Sequence, residues 1–382
     1  MTQDPTFDHR LMSWRRHLHQ NPELGLEEEE TAAFVAARLR ELGVEVTEGV
    51  GKTGVVGTIR RGGNRAVGLR ADMDALPIQE ISGLPHASRK SGVMHACGHD
   101  GHTTSLLGAA ELLTRDKSWS GTVHLVFQPA EEGRGGAKAM LADGLFERFP
   151  MERIFGYHNW PGLPAGTVAV HDGPVMATTA RVEIEVEGHA GHAALPHLTR
   201  DTLVASAHLL IALQTIVSRN IDPMKPAVLS IGMIQGGEAP NQIARKVTLR
   251  GTARALTMEA MDEIEAGVRR IAEGVSQTFG MQHKVTFAHG AALTRNTAAE
   301  ADMAAEAAEA AGLPLRRDLA AAMTGEDFGW MLREKPGTYV WIGNGPAEDG
   351  IGLHNPRFDY NDAILPMAAK WYAEVAKRAL RG

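Results

Sequence analysis

Two rhythms of apolar and polar positions divide this chain. Up to Gly173-Pro174, stretches with helical spacing alternate with short continuous apolar runs. Asp8–Gln20 places Leu11, Trp14 and Leu18 at helical intervals and stops before Pro22, because a residue preceding proline disfavours the helical region. Glu27–Leu42 opens with four glutamates, which suit the positive end of a helix, and stops at Gly43. Strands are predicted at Gly54–Ile59, Ala66–Ala71, Thr122–Phe127 and Arg153–Tyr157, with a helix over His102–Leu113. Such alternation predicts an α/β fold with a largely parallel sheet, whose ligand sites lie just beyond the C-terminal ends of strands.

After Gly173-Pro174 the period shifts to two. In Arg181–Glu187 the residues Val182, Ile184 and Val186 alternate with charged neighbours, the pattern of an antiparallel strand with one wet face. A helix (Asp201–Ile216), strands (Ala227–Ile234 and Ala244–Ala255), a helix (Met258–Phe279) and a strand (His283–Ala288) follow. That β-α-β-β-α-β order is the split, ferredoxin-like arrangement of an α+β unit. Met303–Ala311 resumes a helix and Thr338–Gly343 a buried strand. The expected organisation is a discontinuous main domain, residues 1–174 and 290–382, with residues 175–289 inserted as a smaller domain.

Composition narrows the function. With 382 residues, 43% of them apolar, the chain is long enough for two cores. A net charge of −7 and the lack of any basic run argue against nucleic acid or an anionic membrane as partner. The longest apolar stretch, near Leu209–Val217, is broken by Gln214 and reads as too short to cross a bilayer. Met-Thr-Gln-Asp-Pro at the N-terminus lacks the features of a secretory signal, and one cysteine suits a reducing compartment, so the expected location is cytoplasmic.

That cysteine carries the chemistry. Cys97 stands two residues before His99 in His95-Ala96-Cys97-Gly98-His99-Asp100-Gly101-His102. In an extended segment residues i and i+2 share a face, so both reach one metal centre, and Gly98 lets the backbone approach closely. A buried apolar cysteine is the bland alternative, but so many titratable neighbours are costly to bury unless they bind something. Glu131-Glu132 follows an apolar strand between Pro129 and Gly133. Adjacent carboxylates facing opposite ways allow one to ligate and the other to act as general base. His158 and His354 add two imidazoles, each in a turn-rich context. One sulfur, three imidazoles and two carboxylates form the ligand inventory of a two-metal hydrolytic site. Asp72 and Asp74 are candidates for orienting imidazoles, against an Asx-type turn as alternative. In the inserted segment, His192 is a candidate donor to an oxyanion if that domain closes over the site, and Asn241 and Arg254 are candidates to grip a substrate carboxylate. A surface salt bridge is the plainer role for Arg254. Thr324-Gly325-Glu326-Asp327-Phe328 is an acidic turn, and no role is assigned to Glu326 or Asp327.

These blocks together resemble the dinuclear metallo-aminoacylase and peptidase family, in its branch of hippurate hydrolases, N-acyl-amino-acid amidohydrolases and indole-acetyl-amino-acid hydrolases. The resemblance rests on Arg16-His17-Leu18-His19-Gln20-Asn21-Pro22-Glu23-Leu24, Arg70 to Pro77, Met94 to His102, Gln128 to Gly133, His189 to His197 and Leu353-His354-Asn355-Pro356. It implies a zinc-peptidase-like catalytic domain with an inserted lid and dimerisation domain. It implies that Cys97, His99, Glu132, His158 and His354 hold two divalent ions, with Glu131 as general base. It implies a homodimer or dimer-based oligomer in which His192 reaches the partner's site. Thiolate and imidazole favour Zn²⁺; the family is often described with Mn²⁺, and Co²⁺ or Ni²⁺ exchange fits. The expected reaction is hydrolysis of an N-acyl or N-aroyl amino acid, a small-molecule substrate. A dipeptidase or carboxypeptidase of the same family is the alternative, and a metal-dependent binding protein or redox sensor using Cys97 is a third reading.

Overall fold

The computed structural model describes residues 5–381; the Met1–Asp4 segment, which bears on the reading of the N-terminus, lies outside the described residues. The chain forms two compact units. The first gathers the residues up to Val175, Arg295–Ala320 and those from Asp327 onward. The second comprises Met176–Thr294 and Ala321–Glu326.

An eight-stranded mixed sheet organises the first unit. Its centre is parallel: Gly121–Gln128, Ala66–Asp72, Arg153–Pro161 and Gly337–Gly345 lie side by side in that order. Near-continuous burial along these strands matches a sheet covered on both faces. Gly54–Arg61 and then Glu45–Val50 extend one edge antiparallel. Val168–Ala169 and Leu315–Arg316 close the other. Helices Pro5–Gln20, His99–Arg115, Ala298–Ala310 and Leu365–Arg381 supply Leu11, Leu106, Ala304 and Trp371 to one continuous apolar core.

The second unit is a four-stranded antiparallel sheet ordered Ala227–Gly236, Lys246–Ala255, Thr178–Glu187, Gln282–His289, which is the strand order of a split β-α-β fold. Helices Thr202–Thr215 and Met258–Phe279 pack on it through Leu209, Leu213, Ile264 and Val268. Local chemistry sets their ends: Asp201 accepts the Leu203 and Val204 amides at the first, and Thr257 accepts the Ala260 amide at the second. Gly280 closes the second helix at φ 65°.

One expectation needs correction. The apolar stretch around Leu209–Val217 belongs to a longer helical segment, because Thr202–Thr215 runs on into a π-turn, Ile216–Asn220. Within the 19-residue segment Thr202–Asn220, eighteen consecutive residues reach a mean hydropathy of 1.3, long and apolar enough by length and composition to cross a membrane. Packing of one face on the sheet, through Ala205, Leu209, Leu213 and Ile216, accounts for much of that apolarity. Leu203, Val204 and Ile211 on the remainder are exposed.

Trp371 is wholly buried in the first unit and donates its Nε1–H to the Ala304 carbonyl at 3.1 Å. Trp371→Ala is expected to cost about 3–5 kcal/mol, read as a lowered urea midpoint. An unchanged midpoint would contradict the assignment of Trp371 to the core.

Candidate metal centre

Most of the candidate residues stand at or just beyond the C-terminal ends of the central strands. Ala66–Asp72 ends in Asp72 and leads to Asp74. Gly121–Gln128 leads through Ala130, at φ 54°, into the turn holding Glu131 and Glu132. His158 lies within Arg153–Pro161 rather than after it, since the strand continues past Tyr157. His354 occupies a left-handed position at φ 63°.

Two local expectations are corrected. Cys97 and His99 do not share an extended segment: Gly98 takes φ 94° and His99 is the first residue of helix His99–Arg115. A Cβ at Gly98 would stand 2.4 Å from Asn159 Oδ1, so the position needs both the conformation and the smallness of glycine. Likewise Glu131 and Glu132 sit in a turn, where strand alternation does not apply. Their carboxylates still separate. Glu131 Oε1 accepts the Asp327 amide at 3.2 Å, whereas Glu132 Oε1 is 3.3 Å from His354 Nε2 and 4.0 Å from His99 Nε2.

Side chains scattered along the sequence thus converge. Cys97 Sγ is 3.4 Å from His158 Nε2. The donor atoms of Cys97, His99 and His158 lie within 4.8 Å of one another, and so do those of Cys97, Glu132 and His354. Cys97, His99 and His158 are buried while His354 is exposed. His158 Nδ1 donates to the Asn159 carbonyl at 2.7 Å, which leaves Nε2 with its lone pair toward Cys97. His99 Nε2 is buried without a hydrogen-bond partner. An orphaned donor atom of this kind, beside a thiol, is the arrangement a divalent cation satisfies.

Asp74 builds the frame. Its Oδ1 lies 3.2 Å from His99 Nδ1 and accepts the Glu131 amide at 3.0 Å, while Oδ2 accepts the Glu132 amide at 2.9 Å. Asp72 instead pairs closely with His102, 2.6 Å from its Nδ1, and with Arg70 at 2.8 Å. His102 Nε2 is also 2.7 Å from Asn159 Oδ1, so both ring nitrogens have polar partners.

Charge in this region is unbalanced without a cation. Burial and the Glu132 and Glu131 carboxylates hold the Cys97 thiol well above its ordinary pKa. Burial opposes the charging of His99, but Asp72 and Asp74 outweigh it and raise the ring to about 10. A bound cation inverts this logic by favouring thiolate and neutral imidazole.

The remaining candidates lie in the second unit. His192 is exposed, its Nδ1 accepting the Ala194 amide at 3.1 Å, and its strand pairs Gly191–His192 with Gln242–Ile243. Asn241 is exposed and its carbonyl accepts the Ala193 amide. Arg254 Nη1 donates to the Met323 carbonyl at 3.1 Å rather than to a carboxylate.

Sequence reasoning leaves out a second polar layer behind the centre. His19 and Asp100, both buried, meet at 2.8 Å, and His19 Nε2 is 3.4 Å from Glu80. Asp327 binds Gln128 Nε2 at 2.6 Å and the Ala137 amide at 3.0 Å while its own amide reaches Glu131. The available signal for His19 was its place in the Arg16–Leu24 block.

This assembly of parallel-sheet strand ends, a buried thiol, imidazoles and carboxylates is that of a metallohydrolase, and residues 68–378 match the model of peptidase family M20/M25/M40. The chain belongs to that family. It is 42% identical over 377 residues to a hippurate hydrolase of Campylobacter jejuni, covering 96% of each chain. It is 39% identical to an N-acetyl-L-cysteine deacetylase of Bacillus subtilis, covering 98% of this chain and 89% of that one. Among solved structures it is similar to a Bacillus subtilis protein described as a dinuclear metal-binding peptidase of the M20 family, with a TM-score of 0.88, 35% identity and 99% of each chain covered.

Burial alone would lower the pKa of His19, but hydrogen bonds to Asp100 and Glu80 outweigh it and raise the ring from 6.5 to about 9. A raised value gives stability that is full below pH 6.5 and is lost as pH rises through 9, about 3 kcal/mol in all. Thermal melts should show Tm falling over that window, and His19→Gln should flatten the fall. A variant profile parallel to the wild type would contradict this linkage.

Proposed function

We propose that this chain is a dinuclear metal-dependent amidohydrolase that cleaves N-acyl and N-aroyl amino acids into a carboxylic acid and a free amino acid. The observation that carries the reading is the meeting of Cys97, His99, Glu132, His158 and His354 donor atoms beside the Glu131 carboxylate. The named hippurate hydrolase and deacetylase relatives support the substrate class. A redox or storage role would leave the neighbouring Glu131 without a function, and an amidohydrolase uses it.

In this reading Cys97, His99, Glu132, His158 and His354 hold two divalent ions. When bound, such a pair supplies Lewis acidity and an activated water near neutral pH. Glu131 takes the proton from the attacking water and passes it to the leaving nitrogen, so one carboxylate serves as base and then acid. The Asp327 amide orients that carboxylate, and Asp74 fixes the turn from which it projects. Asn159 and Asp74 hold the His158 and His99 rings at their Nδ1 atoms. His192 is the candidate donor to the oxyanion, and Asn241 and Arg254 are the candidates for the substrate carboxylate. The second unit serves as lid and dimerisation element, with a homodimer as the working assembly. Thiolate with imidazole favours Zn²⁺, and Mn²⁺ is the other ion of choice. A single cysteine suits a cytoplasmic location.

Glu131→Gln should retain the metal content of the wild type and lose at least three orders of magnitude in kcat, measured with hippurate and N-acetyl amino acids. Retained activity at normal metal content would refute the role of Glu131. Chelation should abolish hydrolysis, and adding back Zn²⁺ or Mn²⁺ should restore it. Faster turnover of dipeptides than of any N-acyl amino acid in the same panel would favour the dipeptidase alternative.

A further inference from the structure

Arg15 is a charged side chain with no exposed surface, and it touches none of the proposed metal ligands. Its Nε donates to Asp100 Oδ2 at 2.8 Å, and Asp100 directly follows His99. Its Nη2 donates to Asp359 Oδ1 at 2.5 Å, and its Nη1 to Asp362 Oδ1 at 3.4 Å, on the segment that follows His354. We infer that Arg15 is a positioning residue for the metal centre: its guanidinium clamps the Cys97–His99 segment and the His354 segment into a fixed mutual placement. This inference rests on the metal-centre reading proposed above.

The chemistry of the clamp is specific. A guanidinium is planar, keeps its charge and offers donors in a rigid fork, so one group can hold two carboxylates on separate segments at once. Burying it uncompensated would be prohibitive, and the ring of acids answers that cost. Asp100 is itself fixed, being 2.8 Å from His19 Nδ1 and accepting the Gly101 amide at 2.9 Å. A backbone bond from the His354 amide to the Ala96 carbonyl, 2.8 Å, joins the same two segments directly. Arg15 therefore adds a side-chain lock to a main-chain one. The alternative is an ion pair that merely stabilises the core, and the same helix carries a control. Arg10 pairs with buried Glu111 at 2.5 Å and ties the same two helices together about three turns along the helix from His99.

The test is metal binding by the full-length protein, measured by calorimetric titration of the metal-free form with Zn²⁺ and, separately, Mn²⁺. R15K and D359N should bind at least tenfold more weakly than wild type, with kcat recovering as metal is added. R10Q should lower Tm yet leave metal affinity unchanged, which a purely structural role for Arg15 would not separate. Asp359 is a third exposed, so D359N decides the matter should R15K fail to fold. Wild-type affinity in folded R15K or D359N overturns the inference, and so does equal weakening in R10Q. A wild-type protein that takes up neither metal sinks the metal-centre reading itself; normal uptake by wild type and D359N alike sinks only the clamp.

Discussion

The carboxylate of Asp74 is the constraint on which the centre depends. One short side chain lies against the His99 ring and receives two successive backbone amides, those of Glu131 and Glu132. The imidazole comes from the start of helix His99–Arg115 and the carboxylate turn from the end of strand Gly121–Gln128, so their distance is set by this shared acceptor rather than by either segment alone. Charge-assisted bonds of this kind are short and directional, and in a buried setting each is stronger than in water. Had the turn been free to open, Glu131 and Glu132 would sample orientations in which neither oxygen faces the cluster.

Behind that layer lies a shell of buried charge that a purely stabilising core would avoid. Arg15, Asp100, His19, Arg70 and Asp72 are all inaccessible to solvent or nearly so. Replacing such groups with hydrocarbon would often stabilise a protein, so their presence points to geometry as the benefit. They form two groups, one around Asp100 beneath the His99 helix and one around Asp72 beneath His102. Each anchors the start of the same helix from a different side, Thr103 Oγ1 adding a bond to the Asp72 carbonyl at 2.8 Å.

Much of the fold was legible because the parallel strands bury both faces and so appear as unbroken apolar runs. Helix Met258–Phe279 was legible to the residue, its apolar stripe running clean between Thr257 and Gly280. Strand Glu45–Val50 was not, since most of it is exposed or half-buried and carries two glutamates. Helix Leu365–Arg381 was missed as well, although its buried face sets Leu365, Trp371, Tyr372, Val375 and Leu380 among alanines. The ligand candidates stood out through their glycine- and proline-bounded contexts. Arg15 and Asp100 did not, because a charged residue on a helix looks solvated until a partner distant in sequence covers it. The turn at Gly98 was equally silent: the sequence displays the glycine but not the Asn159 side chain that forbids anything larger.

The parallel pairing of Gly337–Gly345 with Arg153–Pro161 brings Gly337 opposite Ile154, across the whole of the second unit in sequence. On the ribosome, the centre of the main sheet therefore waits for the chain through Gly345 to emerge, and His354 arrives later still. Contacts of such long range make for slow folding, with the exposed flank of Arg153–Pro161 open to wrong partners meanwhile. The second unit, contiguous apart from one short return segment and built from neighbouring strands, can settle first and shorten the effective loop.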